Sequence, residues 1–176
     1  MEYFWRHGYH ATGLTELLEH MGIARQSLYD TFGNKRTLFF RVIGHYRTTQ
    51  LAQALAVLER DGSPLENVRA VLRFFRGLAR DESCRGCLVA NALVEMAPDD
   101  AEIAALLQET LEMLEKGVRR TLRRAQEVGE LPADRSARQI ARALTNSMIG
   151  IAVTGKLALS PSTIDDIYEG TVALLD

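Results

Sequence analysis

Cysteine is nearly absent from this 176-residue chain, which has only Cys84 and Cys87. Two thiols three positions apart cannot build a secreted disulfide framework, and with no histidine nearby they cannot complete a four-ligand zinc site. A reducing cytoplasm is the expected compartment. Proline is also scarce: Pro64, Pro98, Pro132 and Pro161 each fall beside a plausible helix start, where a missing N–H costs nothing. No apolar run is long enough to cross a bilayer, and residues 1–9 lack the charged leader and apolar core of an export signal. Strict period-two alternation is missing too, so no sheet is expected. His7, His10, His20 and His45 show no metal spacing, and no nucleophile–base pair or phosphate-binding glycine loop emerges. An enzyme is therefore the least supported class, and no cofactor or metal is expected. The formal net charge of -2 gives no whole-chain hint of a nucleic-acid partner.

What is present is a succession of amphipathic helices. Hydrophobic residues at 47% and charged residues at 25% match a soluble globular chain able to bury a core. Ser63-Pro64-Leu65-Glu66 carries a capping hydroxyl, a first-turn proline and an acid, and Asp99-Asp100-Ala101-Glu102 repeats the acid-at-start logic. Helices are predicted near 64–80 and 100–129. The latter carries the stripe Ala104, Leu107, Leu111, Leu114, Val118, Leu122 and Ala125. A stripe through Phe39, Val42, Tyr46, Leu51, Leu55 and Leu58 predicts a rod over 35–60 that would span about 39 Å if unbroken. Further helices are predicted over 134–157 and 163–175.

The first 50 residues differ in grain. Short helices near 13–21 and 24–31 are separated by Met21-Gly22-Ile23, and Phe32-Gly33-Asn34 precedes the rod, with Gly22 suited to a left-handed helix end and Asn34 to an N-cap. Two short helices around a glycine turn make a helix-turn-helix, whose second helix can enter the DNA major groove. Leu28 and Phe32 face inward with Ile23, against Leu14, Leu17 and Leu18. The outer face holds Arg25, Gln26, Tyr29 and Asp30, with Ser27 at its edge. Arginine can read guanine and glutamine can read adenine bidentately, while Lys35 and the amides of the next helix N-terminus suit phosphate.

The run from Gly8-Tyr9 through Thr12-Gly13-Leu14, Gly22-Ile23, Leu28-Tyr29, Phe32, Lys35 and Leu38 closely resembles the DNA-binding signature of the TetR family of bacterial transcription regulators. The resemblance covers about 40 residues, and beyond them it is one of architecture: a long fourth helix, five more helices, and Arg85-Gly86-Cys87-Leu88-Val89-Ala90-Asn91, which looks like a segment seen in several members. It implies an all-α homodimer that binds a palindromic operator in double-stranded DNA, usually to repress, and is released by a small-molecule effector. Carried over by position, Arg25, Gln26, Ser27 and Tyr29 meet DNA, with Thr12 and Lys35 on phosphates. The family's usual hydroxyl N-caps are replaced by Gly13 and Ala24. Met1 falls inside the family's first helix, so Phe4, Trp5 and Tyr9 are expected to belong to a partial one.

These readings give a helix-turn-helix domain over 1–47 and an effector-binding and dimerisation domain over 48–176. Candidate effector-pocket residues are Phe74, Phe75, Leu78, Leu88, Leu111 and Leu114, with Asn91 and Glu95, four apart, orienting the guest. Cys84 and Cys87 are read as ordinary small residues at a helix start, a redox switch being the sharper alternative. Small residues Ala137, Ala141, Gly150, Ala152 and Gly155, with Ile167, Val172 and Leu174, mark 134–157 and 163–175 as the candidate dimer interface. A rival reading is a small-molecule or thiol sensor without DNA contact. Residues 1–47 hold six Arg or Lys against four acids, a net +2, leaving -4 for the remainder, so near-neutrality averages a basic head and an acidic body.

Overall fold

The computed structural model describes residues 1–81 and 85–176, and every regular element among them is helical. The order is α1 (Glu2–His7), α2 (Leu14–Met21), α3 (Arg25–Phe32), α4 (Lys35–Tyr46), a π-helical turn (Arg47–Leu51), α5 (Ala52–Leu58), α6 (Pro64–Arg80), α7 (Leu88–Met96), α8 (Ala101–Glu127), α9 (Ala137–Thr154) and α10 (Pro161–Val172). Short 3-10 turns, Gly155–Leu157 and Ala173–Leu175, finish α9 and α10. Cys84 lies outside the described residues.

Side-chain caps start most of the long helices where the sequence places them. Asn34 accepts from Thr37 N, Ser63 from Glu66 N, Asp100 from Glu102 N and Ile103 N, Ser136 from Gln139 N, and Ser160 from Thr163 N. The two helices of the helix-turn-helix lack such caps: Gly13 and Ala24 occupy the cap positions in extended conformation and supply no side-chain bond.

The rod is not one unbroken α-helix, because the π turn Arg47–Leu51 sits in its middle and Ala52 N–H reaches back five residues to Arg47 O. The reason is written in its apolar stripe, which steps by three or four everywhere except from Tyr46 to Leu51, a step of five. A wider π turn absorbs that extra residue and keeps Val42 (7% exposed) and Leu58 (0%) on one buried face.

Two cores follow. In the body, Leu58, Val68, Val118, Leu122, Ala125, Ala141 and Leu144 pack where α8 and α9 lie against α6. α8 closes tightly on α5 at Gly117, where a Cβ would stand 2.7 Å from Leu55 Cδ2. The second core joins Phe4, Leu17, Leu28, Phe39 and Ile43 of the N-terminal helices to Leu88, Val89, Ile103 and Leu107 of α7 and α8. Packing is therefore continuous across residue 47. Most of the small-residue stripe of α9 is spent inside the chain: Ala137, Ala141, Ala152 and Gly155 are buried, whereas Gly150 is exposed.

Polar links pin the N-terminal unit to the body over this shared core. Glu95 of α7 accepts from Tyr9 N at 2.8 Å and His10 N at 2.6 Å. The Arg36 guanidinium forks onto Asp100, the N-cap of α8, at 2.9 and 3.0 Å, and reaches Glu102 at 2.7 Å. The indole N–H of Trp5 donates to Gly86 O at 3.0 Å.

Two expectations follow. Ala24→Ser restores the missing cap on an already extended cap residue, adding about 1 kcal/mol and raising Tm by about 2–4 °C in a chain of this size. Glu95→Ala strands two amide donors and lowers the urea midpoint by the equivalent of about 1–2 kcal/mol, part exposure included, while Glu95→Gln, which keeps an acceptor, loses less.

Candidate nucleic-acid interface and effector cavity

α2 ends at Gly22, whose left-handed conformation (φ 65°) lets Ile23 N–H close back on Leu18 O at 3.2 Å. The chain then turns into α3, which Leu28 anchors by full burial while Ile23 and Phe32 pack partly beneath it. This leaves Arg25, Gln26, Ser27, Tyr29 and Asp30 exposed together on one helix, Tyr29 at 43%. The structure thus gathers four of the six expected DNA residues on a single outward face. Gln26 is not idle there: its Nε2 donates to Asp30 Oδ1 at 2.7 Å, one turn on, leaving its amide oxygen available.

The two residues expected on phosphate both carry bonds within the chain. Thr12 is 1% exposed and its hydroxyl donates to Gly8 O at 2.5 Å, so it braces the α1–α2 turn. Lys35 turns inward: its ammonium donates to Thr12 O at 2.5 Å and lies 4.4 Å from the centre of the Tyr9 ring. Burial lowers its pKa from the ordinary lysine value, and Glu95 works in the opposite direction. Arg36 is committed to α8, where its hydrogen bonds hold the Asp100 carboxyl below the usual aspartate value. Arg25 and Arg41 remain exposed, the latter over the Phe32 ring at 5.5 Å.

Behind the head, a cavity of about 140 Å³ opens between α1, the rod, α6, α7, α8 and α9. Of the expected pocket residues, Phe74, Phe75, Leu78, Leu111 and Leu114 line it. Leu88, Asn91 and Glu95 do not. Leu88 is 1% exposed within the shared core, Asn91 Nδ2 donates to Arg85 O at 3.0 Å, and Glu95 holds the α1–α2 turn. Trp5, Tyr46, Gln50 and Cys87 are among the further lining residues that the sequence reading did not point to. Signals existed for two of them: Trp5 is the sole tryptophan, and Tyr46 stands at the five-residue step of the stripe. Tyr46 Oη lies 3.5 Å from Cys87 Sγ, and burial, then the neighbouring thiol, raises the Tyr46 pKa, so it stays a neutral phenol. Cys87 is buried at 8% exposure.

Among the described residues no cluster of three or more His, Cys, Asp or Glu side chains could hold a metal, and no helix is long and apolar enough to cross a membrane.

Comparison with known proteins gives this geometry its context. Residues 1–42 match the model of bacterial regulatory proteins of the tetR family, and residues 64–170 match a tetracyclin repressor-like C-terminal domain. An uncharacterized HTH-type transcriptional regulator of Bacillus subtilis, YezE, is 33% identical over 100% of this chain and 92% of its own length. The transcriptional regulator AcuR of Cereibacter sphaeroides is 32% identical over 93% of this chain and 76% of its own. Among solved structures, a cysteine mutant of the TetR family regulator CifR in complex with 26-base-pair operator DNA superimposes with a TM-score of 0.87 at 27% identity, covering 97% of this chain and 90% of that one. The chain belongs to the TetR family of bacterial transcription regulators.

Proposed function

We propose that this DNA-binding regulator represses transcription from a palindromic operator and that a small molecule in the cavity releases it. The observation that carries the reading is the exposed Arg25–Tyr29 face of α3, held by a head whose core is shared with the helices around the cavity. Two relatives, ComR and BdcR of Escherichia coli, are named as repressors, which supports that direction of control. Arg25 is the direct reader, since it stands at the first turn of α3 with no partner of opposite charge among the described ion pairs; Gln26 reads once it leaves Asp30, and Ser27 and Tyr29 meet the backbone at the rim. Residues 1–47 act as the reading head and 48–176 as the effector-binding and dimerising body of a cytoplasmic protein with no catalytic role. The rival reading, a sensor that never touches DNA, leaves the open reading face unexplained.

A second copy would meet the outer edge of α9 and α10. Arg138, Arg142, Asn146 and Val153 recur along the exposed side of α9, and Leu157 (72% exposed) continues it. Half-sites about 34–36 Å apart suit dimers of helix-turn-helix proteins.

Replacing Arg25 and Gln26 together by alanine is expected to erase the difference between operator and scrambled DNA, about 1–3 kcal/mol per lost bidentate contact, while the protein still sediments as a dimer. Retained sequence preference in a gel-shift titration would move recognition off α3. Val153→Asp with Leu157→Asp is expected to shift the sedimentation profile toward monomer, and an unchanged dimer would place the interface elsewhere.

A further inference from the structure

We infer that the effector is an uncharged, mainly apolar molecule about the size of one aromatic ring, and that it acts by touching the reading head itself, at Trp5. This rests on the cavity being the effector site and adds the ligand class and the route by which binding is felt.

Size sets the first limit. The cavity measures about 140 Å³, and an apolar protein cavity of about 150 Å³ accommodates benzene. Wall chemistry sets the second: Trp5, Tyr46, Leu51, Phe75, Leu111 and Ile149 are ring or hydrocarbon surface. Two side chains of opposite charge, Asp81 and Arg85, reach the lining. Arg85 is already paired with Glu2 and laid over the Trp5 ring at 4.6 Å, and Asp81 also has a partner. A charged guest would leave water without gaining a spare counter-charge. Hydrogen bonding is limited: Gln50 offers its amide, Tyr46 its neutral hydroxyl, and the Thr110 hydroxyl proton goes to Leu106 O at 2.7 Å.

The route follows from where Trp5 sits. It belongs to α1 of the head, yet its indole is cavity wall, stacked edge-on against Tyr46 at 5.3 Å and bonded through Nε1 to Gly86 O. Gly86 is clamped on its other side. At φ +70° a Cβ there would lie 3.0 Å from Ala152 O and 3.0 Å from Lys156 Cδ of the α9 end. A guest pressing on Gly86-Cys87 therefore finds no room toward α9, and the displacement passes to Trp5 and the head.

The test uses the full chain with its operator. Phenol and benzyl alcohol are the neutral probes, benzoate and benzylammonium the charged ones, and emission from the sole tryptophan reports occupancy. The neutral probes are expected to change Trp5 emission saturably and weaken operator binding over the same concentrations, with the charged probes at least about tenfold weaker. Trp5→Phe keeps a ring in place but loses the N–H donor. It is expected to retain probe-induced thermal stabilisation while operator release needs about tenfold more probe, a change of ~1.4 kcal/mol in coupling. Leu111→Phe, which fills the cavity, is expected to abolish the probe response. Benzoate or benzylammonium binding as tightly as phenol overturns the ligand class and leaves the cavity reading standing. Undiminished release from Trp5→Phe overturns the route. No saturable emission change with any probe, or a Leu111→Phe variant that still responds like the parent, overturns the cavity reading and the inference with it.

Discussion

Helix α3 cannot hold itself in place, and the rest of the architecture answers to that fact. α3 is eight residues long, lacks a side-chain N-cap and buries one side chain fully, Leu28. A helix so short is marginal in water without tertiary support. Its orientation is consequently set by what Leu28 rests on, a core that runs through Phe4, Phe39 and Ile43 into Leu88, Ile103 and Leu107. Aromatic packing strengthens the junction: Phe39 meets Phe4 and Tyr9 edge-on, each with ring centres 5.1 Å apart. A head with a closed core of its own would float on the rod. This one shares its core with α7 and α8.

Charge is distributed to the same end. The +2 of residues 1–47 suggests a basic surface, but much of that charge faces the body. Arg36 is bound to Asp100 and Glu102, Arg47 to Glu109 at 3.0 Å, and Lys35 is tucked under Tyr9. The body's acids thus neutralise the head's junction-facing bases, while Arg6, Arg25 and Arg41 stay exposed. Electrostatic attraction to phosphate is then modest, which favours dependence on base contacts over general adhesion to DNA.

Helical period is a local signal, and what was legible in the sequence has that reach. The α8 stripe, the caps at Asn34, Ser63 and Asp100, and the outward set Arg25, Gln26, Ser27 and Tyr29 all follow from spacings of three and four. Leu88 suits a pocket by pattern because a stripe shows that a face is buried without naming what it meets, and Asn91 and Glu95 suit it only by their four-residue spacing. Glu95 bonds backbone amides 85 and 86 positions away, and no pattern of side chains in its own helix reports that. Thr12 and Lys35 illustrate the complementary reason. Their residue types suit phosphate, and nothing in those types announces that their side chains also bond within the α1–α2 turn. The π turn was readable after all, in the step from Tyr46 to Leu51.

The size of the cavity bounds how strongly the proposed effector can act. Six to eight heavy atoms, at a ceiling of about 1.5 kcal/mol each for the best very small ligands, could not exceed roughly 9–12 kcal/mol, and ordinary contacts deliver far less. Switching draws on only the difference in affinity between the two head positions, and a hundredfold preference is worth about 2.7 kcal/mol. One neutral hydrogen bond such as Trp5 to Gly86 contributes about 1 kcal/mol net. A weak ligand of the proposed kind would therefore disturb that bond and its packing without breaking the Glu95 and Arg36 links, and the head would tilt on a hinge that stays attached. Tilting is sufficient: two reading helices must meet successive major grooves together, and a few ångströms of misplacement at each end of a dimer removes the simultaneous fit.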